Sequence, residues 1–144
     1  MKAPDANYDR RVRDSFARQR IMTTMGAVID RVAPGEVSIR LPIRDELTQQ
    51  NGFLHAGAIA TVADSACGYA AFSLMPADAD VLSIEFKVNM LAPATGDAIV
   101  ARASVIRAGR TIMVCRADVY SVLGSDEKLV AAMQGTMMVI RAEG

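Results

Sequence analysis

His55 is the only histidine of the chain, and Asp64 follows it nine residues later in the stretch Gln49 to Ala71, QQNGFLHAGAIATVADSACGYAA. Imidazole and carboxylate are the side chains that most often move protons in catalysis. Between Glu46 and Asp78, Asp64 is the only formally charged residue, and its surroundings read as a buried helix. Taking an unpaired carboxylate out of water costs several kcal/mol, so such a group is usually hydrogen-bonded, protonated or functional. An aspartate bonded to nearby backbone, or facing a water-filled gap, meets the same constraint, and burial alone does not separate it from a catalytic one.

Spacing takes the argument further. At about 100° and about 1.5 Å per residue, nine residues turn a helix by about two and a half turns and advance it about 13.5 Å, so His55 and Asp64 point to opposite sides. Within one straight helix they form no dyad. Either they do unrelated jobs, or Asp64 meets the His55 region of a second subunit, which implies a two-fold dimer with two equivalent sites at its interface. His55 stands at the helix start, where the N–H groups of Ala56 and Gly57 lack intrahelical partners and form a small positive pole. Such donors can bind a developing oxyanion, an interaction worth about 3 kcal/mol per donor. The pole favours an imidazole that orients the loop over one acting as general base, and a purely structural cap is the other reading. Gly52 and Gly57 allow a ligand close to the backbone.

The rest of the chain has to position these groups. Its 144 residues are the size of one domain, and sixteen Lys+Arg balance sixteen Asp+Glu. No general attraction to nucleic acid or to an anionic membrane follows, so any anionic ligand must be held locally. The amino-terminal stretch MKAPDANYDRRVRDSFARQR has no apolar core followed by a cleavage site, and the expected compartment is the cytoplasm. Cys67 and Cys115 lie in apolar segments without metal-ligand spacing and read as small buried hydrophobes. A single histidine rules out a multi-histidine centre, and no metal is expected.

Residues 5 to 22 fit an amphipathic helix that Asp5 can cap, with Tyr8, Val12 and Phe16 recurring every four residues. Met25 to Ile43 alternates around a Pro34-Gly35 turn and reads as a hairpin. Residues 47 to 54 form a polar loop, and His55 to Met75 is a long run of small and apolar residues. Alternation returns over 80–91, 97–107, 111–122 and 128–141, with breaks at Pro93, Gly96, Gly109 and Gly124. On strand alternation over 82–90, Leu82, Ile84, Phe86, Val88 and Met90 share one face and Ser83, Glu85, Lys87 and Asn89 the other. A helix apolar nearly all the way round needs cover on most sides, and one antiparallel sheet curled around it supplies this. The small residues let strands approach closely. Asp64, His55 and several hydroxyls argue against a transmembrane span. The expected organisation is an N-terminal helical extension, residues 1–24, packed on a single domain, residues 25–144.

Gln49, Gly52, His55, Gly57 and Asp64, followed by SIEFKVNMLAPA from Ser83 to Ala94, resemble the hotdog-fold acyl-CoA thioesterases of the phenylacetate-degradation (PaaI-like) type. The resemblance runs from about residue 25 to 140. It implies an α+β hotdog fold, an antiparallel sheet wrapped around a long central helix, in a homo-oligomer that is a dimer or a dimer of dimers with sites at the subunit interface. It further implies that Gln49, where many members have Asn, contacts the thioester carbonyl region, and that the N–H of Ala56 is the oxyanion donor. Members usually have Gly there, in a His-Gly-Gly run; alanine keeps the donor and adds a methyl group. By the same likeness Asp64 is the catalytic carboxylate, as general base or as nucleophile, and Ser83 helps hold the attacking water. Alternation alone reads Ser83 equally well as a solvent-side strand residue. Asn51 and Gly57 belong with the substrate contacts, and Lys87, Arg107 and Arg110 are candidates for clamping the CoA phosphates, each of which read singly is also an ordinary solvated charge.

The expected function is hydrolysis of an acyl-CoA or aryl-CoA thioester to free acid and CoA, with no cofactor beyond the substrate's own CoA and no nucleic-acid or membrane partner. Two other readings are a non-catalytic acyl-CoA-binding regulatory module and a hotdog enoyl-CoA hydratase or dehydratase. Phe53, Leu54, Tyr69 and Phe72 are compatible with an aromatic or medium-chain acyl group and equally with core.

Overall fold

Turn chemistry and alternation build the sheet. Pro34-Gly35, with Gly35 at φ +79°, closes a tight hairpin between β1 (Val28–Ala33) and β2 (Glu36–Pro42). In the computed structural model, which describes residues 1–141, four longer strands follow: β3 (Ala79–Met90), β4 (Ala98–Ala108), β5 (Ile112–Leu123) and β6 (Asp126–Arg141). The six strands form one antiparallel sheet in the order β1-β2-β4-β5-β6-β3, so β1 and β3 are its edges.

Before β3 the chain crosses through a helix. It ends near Phe72, and Ala56–Phe72, called α3 below, packs against β2, β3, β4, β5 and β6. Alanines 58, 63, 66, 70 and 71 are buried on it, facing Ile39, Leu41, Ala101, Ala117, Val119, Met133 and Met137 from the strands. Small side chains on the helix allow the close approach of larger strand residues that a densely packed core requires. Cys67 and Cys115 are free and fully buried in this layer; burial pushes both thiols up, Cys115 to about 12. Among the described residues no helix is long and apolar enough to cross a membrane.

The amino terminus departs from the single helix expected over residues 5 to 22. It forms α1 (Tyr8–Arg18) and α2 (Arg20–Met25), broken at Gln19, whose backbone is extended at φ −78°, ψ 94°. No glycine or proline stands there. A tertiary contact accompanies the break: the Gln19 carboxamide oxygen accepts a 3.3 Å hydrogen bond from Ser65 on α3. Asp5 is not the cap residue, a place taken by Asn7; it accepts the Asn7 N–H at 2.9 Å and pairs with Arg11 at 3.3 Å. Arg11 then donates to the carbonyls of Phe72, Met75 and Pro76 at 2.9, 2.8 and 2.6 Å, tying α1 to the orphan carbonyls at the end of α3. Met25 ends α2 rather than opening the hairpin, and Gly26, at φ +82°, turns the chain into β1.

β3 also departs from simple alternation. Its register against β6 shifts between Ser83 and Glu85: Ser83 pairs with Met137, Glu85 with Thr136 and Phe86 with Gly135. The extra residue, Ile84, inverts the phase. Before the bulge Val81 and Ser83 face the helix; after it Phe86, Val88 and Met90 do, opposite Gly135, Met133 and Ala131. The predicted apolar face is therefore split, with Leu82 on the outer side beside Glu85, Lys87 and Asn89.

Candidate active site

The bulge aims Ser83 at the isolated carboxylate. Ser83 Oγ donates to Asp64 Oδ1 at 2.7 Å and lies 3.4 Å from Met137 Sδ. Asp64 is half-buried on α3. Desolvation raises its pKa above the ordinary carboxylate value, and the Ser83 hydroxyl, by stabilising the anion, pulls the other way. A carboxylate made more basic in this way can take a proton from water or attack a carbonyl itself. The two residues open onto a cavity of about 240 Å³. Ser15, Gln19, Tyr69 and Asp80 also line it. Of these, Ser15, Gln19 and Asp80 carry no local signal in the sequence.

The start of α3 is organised differently. His55 is the N-cap residue, with φ −62° and ψ 138°, and its Nδ1 accepts the Gly57 N–H at 2.8 Å. That bond requires an unprotonated Nδ1, so the imidazole orients the helix start. It also occupies the Gly57 donor, and a Cβ at Gly57 would lie 3.0 Å from His55 Nδ1. The Ala56 N–H makes no hydrogen bond among the described residues and is exposed. Of the two donors read at the helix start, one is taken and one is free.

Gln49 lines the same groove as this donor. Its backbone closes the loop through Gln49 N–H to Phe53 O at 2.8 Å and Gly52 N–H to Gln49 O at 2.9 Å. Its side-chain Oε1 accepts the N–H of Asn51, leaving the carboxamide NH₂ as the donor it can offer. His55 N–H to Leu47 O and Leu54 N–H to Ala94 O anchor the loop to its surroundings at 2.9 and 3.1 Å. Gln49, Phe53, His55 and Ala56 face Ala92, Pro93 and Ala94 across a groove of about 540 Å³.

No residue lines both spaces. The chain thus holds two separate sets of groups: a desolvated carboxylate with its hydroxyl, and a free backbone donor with its amide. Lys87, Arg107 and Arg110 belong to neither within one protomer. Lys87 lies on the outer sheet face and donates to Asn89 Oδ1 at 3.0 Å. Arg107 follows a second register shift in β4 and stands in an outer cross-strand row with Val114, Thr136 and Glu85. Arg110 is at the sheet end, beside Thr111 and Arg141.

Known proteins share the fold that holds these groups. A thioesterase family protein of Silicibacter pomeroyi, of solved structure, is 51% identical, with a TM-score of 0.92 over 94% of this chain and 99% of that one. A Halobacterium salinarum protein predicted to be an esterase is 32% identical over 129 residues, 84% of this chain and 85% of its own length. The 1,4-dihydroxy-2-naphthoyl-CoA hydrolase of Listeria monocytogenes is 25% identical over 119 residues, 83% of this chain and 94% of that enzyme. The sheet wrapped around α3 is the hotdog fold of such thioesterases. The family model of the thioesterase superfamily matches residues 51–125, a span that holds His55, Ala56, Asp64 and Ser83, and the chain belongs to that superfamily.

Proposed function

We propose that the protein hydrolyses an acyl-CoA or aryl-CoA thioester at a site completed by two subunits. The carrying observation is the separation of the half-sites: the desolvated Asp64 with Ser83 in one cavity, the free Ala56 N–H with Gln49 in another. A second copy that brings its Asp64 to the Ala56 groove completes the set twice over, as two-fold symmetry requires. β3 supports such a pairing. It is a twelve-residue edge strand with Leu82 56%, Ile84 51% and Phe86 43% exposed, on both of its faces. An apolar edge of this length is an association site unless something pairs with it.

In this scheme the thioester carbonyl accepts the Ala56 N–H, with the Gln49 amide nearby. The partner's carboxylate takes a proton from water as the water oxygen bonds to the carbonyl carbon, and Ser83 steadies the carboxylate. The oxyanion so formed is held by the backbone donor. Collapse breaks the C–S bond, CoA leaves as thiolate and recovers the proton, and the free acid remains. The scheme uses no metal ion or redox group.

Thiol release from a panel of CoA thioesters tests it. Wild type is expected to turn over part of the panel and Asp64→Ala to lose that activity; equal rates would sink the assignment. Sedimentation should show a dimer or larger, and a monomer at assay concentration would remove the two-subunit site.

A further inference from the structure

The break between α1 and α2 has no role in the scheme above, yet it puts side chains into the Asp64 cavity. Gln19 lies at the break, and its Oε1 is engaged by Ser65 at 3.3 Å, so its carboxamide NH₂ has no protein partner among the described residues. Ser15, one turn earlier, is 3.4 Å from the hydroxyl of Tyr69, a residue only 6% exposed. Tyr69 follows Asp64 by five residues, about 7.5 Å along the helix axis, a distance that a short acyl chain bridges. From the β3 side the cavity receives Asp80, and no Lys or Arg lines it. One wall thus offers neutral hydrogen-bonding groups, and the charges in the lining, Asp64 and Asp80, are negative, with Arg18 near Tyr69 outside it.

We infer that Gln19, Ser15 and Tyr69 select the acyl group: the cavity takes an uncharged acyl chain with a hydroxyl or carbonyl at its far end, and Asp80 repels one ending in a carboxylate. The inference rests on the thioesterase reading and adds to it that the acyl part of the substrate lies in the Asp64 cavity. A plain hydrocarbon chain would cut the half-buried Gln19 amide and Ser15 hydroxyl off from water at a desolvation cost, which a polar acyl terminus removes. The interruption at Gln19 then serves specificity, because a continuous helix would carry the carboxamide past Ser65 on a different bearing.

Three CoA thioesters of one chain length separate the contributions: pentanoyl-CoA, 5-hydroxypentanoyl-CoA and glutaryl-CoA, ending in methyl, hydroxyl and carboxylate. Wild-type kcat/KM is expected to favour the hydroxylated ester over pentanoyl-CoA by roughly tenfold, with glutaryl-CoA poorest. Tyr69→Phe, which keeps the ring and the packing, should erase most of that preference by slowing the hydroxylated ester more than the other two, and Gln19→Ala should act in the same direction. Asp80→Asn should raise turnover of glutaryl-CoA relative to the other two. Equal treatment of the three esters by wild type, or a Tyr69→Phe effect common to all of them, would overturn the selection while leaving the hydrolysis reading intact. Undiminished turnover in Asp64→Asn would instead overturn that reading, and the inference with it.

Discussion

At its N-terminus α3 offers a backbone donor to solvent; eight residues on, the same helix holds a carboxylate half out of water. The first depends on geometry. His55 caps the helix, Gly57 makes room for the imidazole, and what remains is an amide of Ala56 that no side-chain identity encodes. The second depends on chemistry: an acid in an apolar run, made basic by burial and addressed by one hydroxyl. Two ways of building a functional group therefore sit on one element, and they respond to mutation differently.

The carboxylate should break first and furthest. Asp64→Asn removes the base and keeps the shape, and thioester turnover should fall by about 10²–10⁴-fold. Stability should not fall with it. The folded-state pKa of Asp64 is raised, so this group favours folding below its ordinary value of 3.8 and opposes it once pH has risen through the folded value. The melting temperature of Asp64→Asn at neutral pH should equal or exceed that of wild type, and any gain should vanish in acid. A lower melting temperature at pH 7 would make Asp64 a structural residue.

The backbone donor needs a different tool. Proline is tolerated at the first helical position, and His55 already has the extended conformation that a residue before proline adopts. Ala56→Pro therefore deletes the free N–H and keeps the helix. Turnover should fall by about 10²–10³-fold with little change in circular dichroism or melting temperature. Full activity would show that the donor at this helix end is not used. Mixing the two inactive variants sharpens the comparison further. If each site takes Asp64 from one subunit and Ala56 from the other, random re-pairing makes half of the dimers mixed, each with one intact site, and roughly a quarter of wild-type activity returns. No recovery after verified exchange of subunits would place both residues in one protomer's site, or in none.

How much of this was legible in the sequence follows the same division. Asp64 stands out because a lone charge among alanines has few innocent explanations, and the start of α3 is marked by a loop that ends where small-residue helix begins. The strands are marked by alternation bounded by Gly and Pro; the four after α3 lie within two residues of where those signals put them, and the hairpin opens three residues late, at Val28 rather than Met25. Ser83 is a different case. Ile84 is as apolar as its neighbours, so the alternation reads straight through and assigns Ser83 to the outer side; only the hydrogen bonds offered by β6 decide that one residue is extra. The break at Gln19 is hidden for a similar reason. Glutamine is a good helix former, and the contact that accompanies the break comes from Ser65, forty-six residues away.

The smallest effect discriminates most finely between the two half-sites. Ser83→Ala should lower kcat only several-fold, because the carboxylate to which the proposed scheme gives the chemistry remains. Its signature is in the pH profile. Asp64 must be ionised to accept a proton, so kcat/KM falls on the acid side as the carboxylate is protonated. Burial raises the pKa that sets this limb, and the Ser83 hydroxyl lowers it by donating to the anion. Removing the hydroxyl leaves burial unopposed, so the limb should move to higher pH, and Ser83→Thr, which keeps a hydroxyl, should bring it back. Ala56→Pro should leave the limb where it is, since the backbone donor meets the oxyanion and not the base. A limb that moves equally in Ser83→Ala and Ala56→Pro would mean that one group titrates against both ends, and the two half-sites would have to be redrawn as one.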